Sequence, residues 1–223
     1  MLRAAWLIAA KDLRLMVQAG QGLIQALLLG LLLVFVFSLS RQAGELFPAQ
    51  AAAAIFWLAT VFAVVLVYNA LFALEEQAGA RVGLLLSPGP AQAVWLGKAA
   101  AGFALLVVCQ AVLGPAAIVF LGQSPQGGLW PLLLTVLAVD VGLAAVGALL
   151  GAMSQGQAAR ESLLSVVLFP LLAPVLLGGI RLLTGWSEGE ALDRNWLGVV
   201  AAFDAVFTAA ALVLFPFVYS GEE

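Results

Sequence analysis

Residues 99–139 read AAAGFALLVVCQAVLGPAAIVFLGQSPQGGLWPLLLTVLAV and carry no charged side chain. A helix that crosses a bilayer needs about 20 mainly apolar residues, because 1.5 Å of rise per residue must cover roughly 30 Å of hydrocarbon. Forty-one uncharged residues are too many for one crossing. The middle of the stretch, Gly122-Gln123-Ser124-Pro125-Gln126-Gly127-Gly128, is a Gly/Pro turn signal. The segment therefore reads as two spans, about 99–121 and 129–153, the second running on past Asp140.

Working outward, the same length test finds spans at about 22–39 and 49–74 on one side and about 162–183 and 195–218 on the other. Six spans predict an all-α integral membrane protein, a single membrane domain over residues 1–223. Composition agrees: 64% of the chain is hydrophobic, 9% is charged, and mean hydropathy is +1.12. Soluble domains are nearer half apolar and about a quarter charged. A net charge of −3 without a basic cluster argues against nucleic acid as a partner. Cys109 stands alone, so no internal disulfide is available. There is no histidine, which removes the commonest general base, metal ligand and haem ligand together. No Walker-type glycine loop and no cluster with metal-ligand spacing is present, so neither a catalytic residue nor a metal site is predicted. The chain reads as a non-enzyme.

The first twenty residues have another pattern. At 100° per residue, Leu2, Ala5, Trp6, Ala9, Leu13, Met16 and Val17 share one side of a helix, and Arg3, Lys11, Arg14 and Gln18 the other. Such a helix lies in the membrane interface with its cations toward headgroups. A signal peptide fits less well, because Lys11, Asp12 and Arg14 stand where small residues should precede cleavage. With the N-terminus inside, Arg3, Lys11, Arg14, Arg81, Lys98 and Arg160 face the cytoplasm against Arg41, Arg181 and Arg194 outside. That bias places both termini in the cytoplasm.

The longest loop, residues 74–98, reads LEEQAGARVGLLLSPGPAQAVWLGK. Two acids close the second span, an apolar run follows, and Ser87-Pro88-Gly89-Pro90 is a sharp stop because proline fixes φ and lacks a donor. A short helix with Val82, Leu85 and Leu86 on one face would lie along the inner membrane surface, either to enter a partner's groove or simply to join two spans.

The order of acidic pair, glycine, apolar run, Ser-Pro and Leu-Gly-Lys resembles the signature of ABC-2-type transporter permeases. It is most similar to the haem exporter protein B family (CcmB), the permease of the cytochrome c maturation system. Lys11-Asp12-Leu13-Arg14, Arg160-Glu161-Ser162-Leu163-Leu164 and Phe169-Pro170-Leu171-Leu172-Ala173-Pro174 carry the same resemblance, which covers essentially the whole chain. General ABC-2 permeases often open the loop with Glu-Arg-Glu, whereas this chain has Glu75-Glu76-Gln77. The resemblance implies a cytoplasmic coupling helix between spans two and three that docks into a separate ABC ATPase dimer, which binds ATP-Mg. It also implies membrane haem-handling subunits, a periplasmic haem chaperone whose release needs ATP, and an inner-membrane location. A second copy of this chain is a further candidate partner. The residues carried over as coupling elements are Glu75, Glu76, Gly79, Ser87, Pro88 and Lys98, with Arg160 and Glu161 at the cytoplasmic start of span five.

No cofactor is expected to be bound by this chain. Only Met16, Met153, Cys109, Tyr68 and Tyr219 could ligate iron, and each reads better as a packing or interface residue; haem is thus expected as a transported or partner-bound species. Asp140, mid-span, must face protein or water, since a carboxylate at the bilayer centre costs about 2.5–3.5 kcal/mol. Asp204 is a second such candidate on a conformational or substrate pathway. Pro170 and Pro174 are expected to kink or break the fifth span. Gly147 and Gly151 permit close helix contact. Trp57, Trp95, Trp130, Trp186 and Trp196 are expected to form an aromatic belt at the span ends. Two other functions stay open on sequence grounds: an ABC-2 permease exporting another apolar substrate, such as a lipid or drug, and a non-transporting membrane scaffold.

Overall fold

The computed structural model describes residues 1–40, 47–77, 79, 83–84, 89–154 and 158–220, and for 21, 158–169 and 220 the backbone alone. The described residues form helices α1 (Leu2–Ala19), α2 (Gln21–Leu39), α3 (Ala49–Gln77), α4 (Ala91–Phe120), α5 (Leu129–Met153), α6 (Ala158–Ser187) and α7 (Arg194–Ser220). Six of these, α2 to α7, contain stretches long and apolar enough to cross a membrane. Spans alternate in direction. The termini, the α3–α4 loop and the α5–α6 connection therefore share one end of the bundle, called here the loop end. The turns after α4 and α6 lie at the opposite end.

Turn chemistry sets the breaks. Gly20 takes a φ of 69°, and its N–H reaches the Met16 carbonyl at 2.9 Å, a glycine cap that ends α1. Pro90, with φ −68° and ψ 141°, is the N-cap of α4. The third transmembrane helix thus begins at Ala91, eight residues before the position expected from charge alone. The reason is Lys98: in the sequence a cation marks the edge of a span, yet here it is wholly buried inside the helix. Likewise α6 runs Ala158–Ser187 as one helix through Pro170 and Pro174, so of the expected kink or break the break does not occur.

Helices α3 and α5 form the centre, with about two-thirds of their spans buried, while α2 and α7 are largely exposed. Small residues allow this. The ring of Tyr68 on α3 lies against Gly102 of α4 and Gly147 of α5; Phe72 lies against Gly151. A Cβ at Gly147 would stand 2.5 Å from the Tyr68 ring. The GxxxG spacing therefore serves to seat aromatic rings. Two tryptophans depart from the expected belt. Trp57 is 1% exposed beside Gly179, and Trp95 is 3% exposed with its indole N–H 3.4 Å from the Ala145 carbonyl. Each indole body fills a gap left by small residues on a neighbour. Trp130, at the start of α5, is strongly exposed.

Candidate functional site

Charged side chains are almost never buried unless paired, so the buried ones locate the site. At the loop end Asp12, Glu75 and Lys98 are all at most 3% exposed. They come from α1, α3 and α4. The Lys98 ammonium contacts Glu75 Oε2 at 2.5 Å and Asp12 Oδ2 at 3.3 Å, and donates to the Leu71 carbonyl at 3.2 Å. It also sits 4.5 Å from the centre of the Phe72 ring, within cation–π range. The other Asp12 oxygen pairs with Lys11 at 2.9 Å. The other Glu75 oxygen accepts a hydrogen bond from the hydroxyl of Tyr219, near the end of α7. Two cations and two carboxylates balance, and both oxygens of each acid are engaged.

Local folding explains the convergence. On α1, Ala5, Ala9, Asp12 and Met16 are the buried residues, a stripe at helical spacing with the acid in its middle. Leu2, Trp6 and Val17, on the same apolar side in sequence, are exposed. The helix thus has an apolar outer strip beside its protein-facing stripe. Gly97 on α4 permits the approach, because a Cβ there would lie 2.8 Å from the Ala5 carbonyl. Glu75 lies in the last turn of α3, and Lys98 in the second turn of α4. The network therefore stands at the root of the 78–90 loop.

The remaining sequence candidates fall in different places. Glu76 is exposed. Gly79 takes a φ of 62°, and its N–H reaches the Glu76 carbonyl at 3.0 Å, turning the chain out of α3. Ser87 and Pro88 lie outside the described residues, as does most of the expected coupling helix; Gly83 and Leu84 within it are helical. Arg160 and Glu161 lie on α6, but their side chains are outside the description. Asp140 is wholly buried in α5 and does face protein: the Gln110 amide donates to its Oδ1 at 2.8 Å. Among the described residues, Asp140 Oδ2, Gln110 Oε1 and Asp204 Oδ1 have no hydrogen-bond partner. Asp204 packs against Gly142 of α5, apart from the loop-end network. Pro170 is exposed at mid-helix, as is Pro174 one turn on.

Of the atoms that could meet iron, Met16, Cys109, Tyr68 and Tyr219 are at most 2% exposed, and both tyrosine hydroxyls are hydrogen-bonded. Met153 is 40% exposed. Asp12, Gln110 and Tyr219 were not among the residues expected at a site. Asp12 carried a usable signal in its place on the Ala5–Ala9–Met16 stripe.

The family model described as CcmB protein matches residues 3–221. The chain belongs to the CcmB family. Two relatives are both named Heme exporter protein B. That of Rhodobacter capsulatus is 30% identical over 212 residues, 94% of each chain. That of Pseudomonas aeruginosa is 26% identical over 211 residues, covering 95% of this chain and 92% of its own. As a CcmB protein with six apolar spans, the chain is a multi-pass membrane protein of a transporter family.

Proposed function

We propose that this CcmB protein is the membrane subunit of a haem-export ABC transporter in cytochrome c maturation, and that it turns motion of a partner ATPase into motion of its own helices. The loop end faces the cytoplasm of the inner membrane in this reading. An ATPase dimer holding ATP-Mg grips the 78–90 loop there through exposed groups such as Glu76. The buried Glu75–Lys98–Asp12–Tyr219 network, at the root of that loop, is the observation that carries the proposal. It joins the two helices that bound the loop to α1 and α7, so a push on the loop moves four elements together. Neighbouring membrane subunits handle the haem, and the stroke releases a haem-loaded chaperone on the other side. The absence of histidine, and the burial of four of the five other potential iron ligands, support haem handling by partners.

Two variants separate gripping from transmission. Glu76→Lys, at an exposed position, is expected to weaken association with the ATPase in native-membrane pull-downs. Glu75→Gln with Lys98→Met removes one buried charge of each sign and leaves the Asp12–Lys11 pair. That double variant is expected to keep the ATPase bound yet lose chaperone release and holocytochrome c. Normal cytochrome c maturation in the double variant would overturn the transmission role. Normal maturation in cells lacking the chain altogether would overturn the haem-export reading.

A further inference from the structure

At the end opposite the network, α3, α4, α5 and α6 stand apart around a cavity of about 340 Å3. Pockets for small molecules run from about 300 to 1,000 Å3. The gap follows from sequence: α3 presents Ala49, Ala52 and Ala53 to it, and α4 presents Ala111, Gly114 and Ala117. Among the described residues, an added Cβ at Gly114 would meet nothing within 4 Å. The walls are apolar except near the two ends, where Gln123 and Ser187 stand at one and Gln110 at the other.

Its depth is that of one leaflet. The cavity runs from the turn after α4, at Gln123, down past Gln110 to Val107. The helical part of that path, Val107 to Phe120, rises about 20 Å at 1.5 Å per residue, a little over half of the roughly 30 Å hydrocarbon core. It also opens sideways. Ala111 and Pro115 on α4, and Leu133 and Leu137 on α5, line the cavity and are exposed as well. The helices that carry them span the bilayer, so this flank faces hydrocarbon. Polarity follows the same axis. At the water end Gln123 donates to the Phe47 carbonyl at 2.9 Å, and the Trp186 indole to the Gly128 carbonyl at 2.8 Å, which gives an interfacial rim above an apolar shaft.

We propose that this cavity seats one acyl chain of a phospholipid from the leaflet opposite the loop end. The chain enters between α4 and α5, and the headgroup rests at the Gln123–Trp186 rim. A polar rim, an apolar shaft one leaflet long and a lateral opening match the shape and polarity of a lipid lying alongside a membrane helix. The seated chain fills the space that the alanines leave.

Native mass spectrometry of the whole chain, after detergent exchange that strips loosely held lipid, is expected to retain one phospholipid per chain. Ala53→Leu combined with Gly114→Leu, which fill opposite walls, is expected to abolish retention. Gly198→Leu, on the exposed face of α7 with open space around it, is expected to leave it intact. A second measurement needs no variant: a phospholipid carrying a diazirine midway along its acyl chain should label peptides covering residues 107–118 and 132–137. The proposal is overturned by equal retention in the filled variant, or by detergent alone in the cavity. It is also overturned by labelling spread evenly over α2 and α7, or by cross-links placing a second copy or a partner helix in the flank. No ATPase or haem enters either measurement, so failure here leaves the haem-export reading untouched.

Discussion

At the loop end four helices meet around a buried lysine whose ammonium has two carboxylates, a carbonyl and an aromatic ring as neighbours. At the opposite end the helices part around alanine-walled space, and at mid-depth Gln110, Asp140 and Asp204 keep unpartnered atoms. Directional contacts at one end fix how α1, α3, α4 and α7 sit relative to each other. Loose apolar packing at the other lets α3 and α4, which run through both ends, shift against α5 and α6 with little loss, since few atoms there have a close-packed partner to forfeit. The contrast suits a lever. Displacement enters where the joints are stiff, and helices rearrange where they are not.

The largest effect should come from breaking the stiff end from one side. Lys98→Met leaves Glu75 and Asp12 buried without their shared cation, a change that costs about 3–5 kcal/mol in buried pairs. Unfolding in mixed detergent–SDS micelles would measure it. Adding Glu75→Gln should recover much of that loss, because no uncompensated charge then remains at that position. Equal losses in the single and double variants would show that the charge pairing is not what holds this end. A smaller loss, about 1.5–3 kcal/mol, is expected for Tyr219→Phe, which removes a hydrogen bond to a charged acceptor. It should fall toward zero in a Glu75→Gln background if the two groups act through each other.

The two ends are unequally legible in the sequence. Spans such as 22–39 and 129–153 were read correctly because apolar length against bilayer thickness is an unambiguous test. Lys98 reads as a span edge, because a charge in an apolar sequence signals a boundary, yet it lies buried inside α4. Its partners lie 86 positions away at Asp12 and 23 away at Glu75, beyond any local pattern. Tyr219 and Glu75 are separated by 144 positions. Asp140 is expected to face protein or water, and it faces protein; its partner Gln110 lies 30 positions away, where no local pattern links the two. Helical phase would have singled out Asp12, which falls between Ala5, Ala9 and Met16. The cavity had no signature beyond small residues, which elsewhere in this chain make room for rings instead.

That last ambiguity yields a direct test, since one substitution should act with opposite signs at two glycines. At Gly147 a new methyl would meet the Tyr68 ring at 2.5 Å and Val64 at 3.1 Å. Tyr68 is itself pinned between α4 and α5, and its hydroxyl donates to the Ala99 carbonyl at 3.2 Å, so the ring cannot retreat freely. Gly147→Ala is therefore expected to lose about 1–3 kcal/mol through overpacking.

Gly114 lies on α4 beside the cavity, where the same methyl has nothing within 4 Å. The position carries no positive φ, but it directly precedes Pro115, whose ring crowds a Cβ on the residue before it in helical backbone. Alanine there restricts the unfolded chain without touching another helix, a gain that the crowding by Pro115 holds to at most about 0.5 kcal/mol. Read by the same SDS titration, Gly114→Ala should move the midpoint up while Gly147→Ala moves it down. A loss at Gly114 would mean that the space beside it is already filled tightly in the membrane. A gain at Gly147 would mean that Tyr68 is free to give way, and the tight-against-loose contrast between the two halves of the bundle would then have to be redrawn.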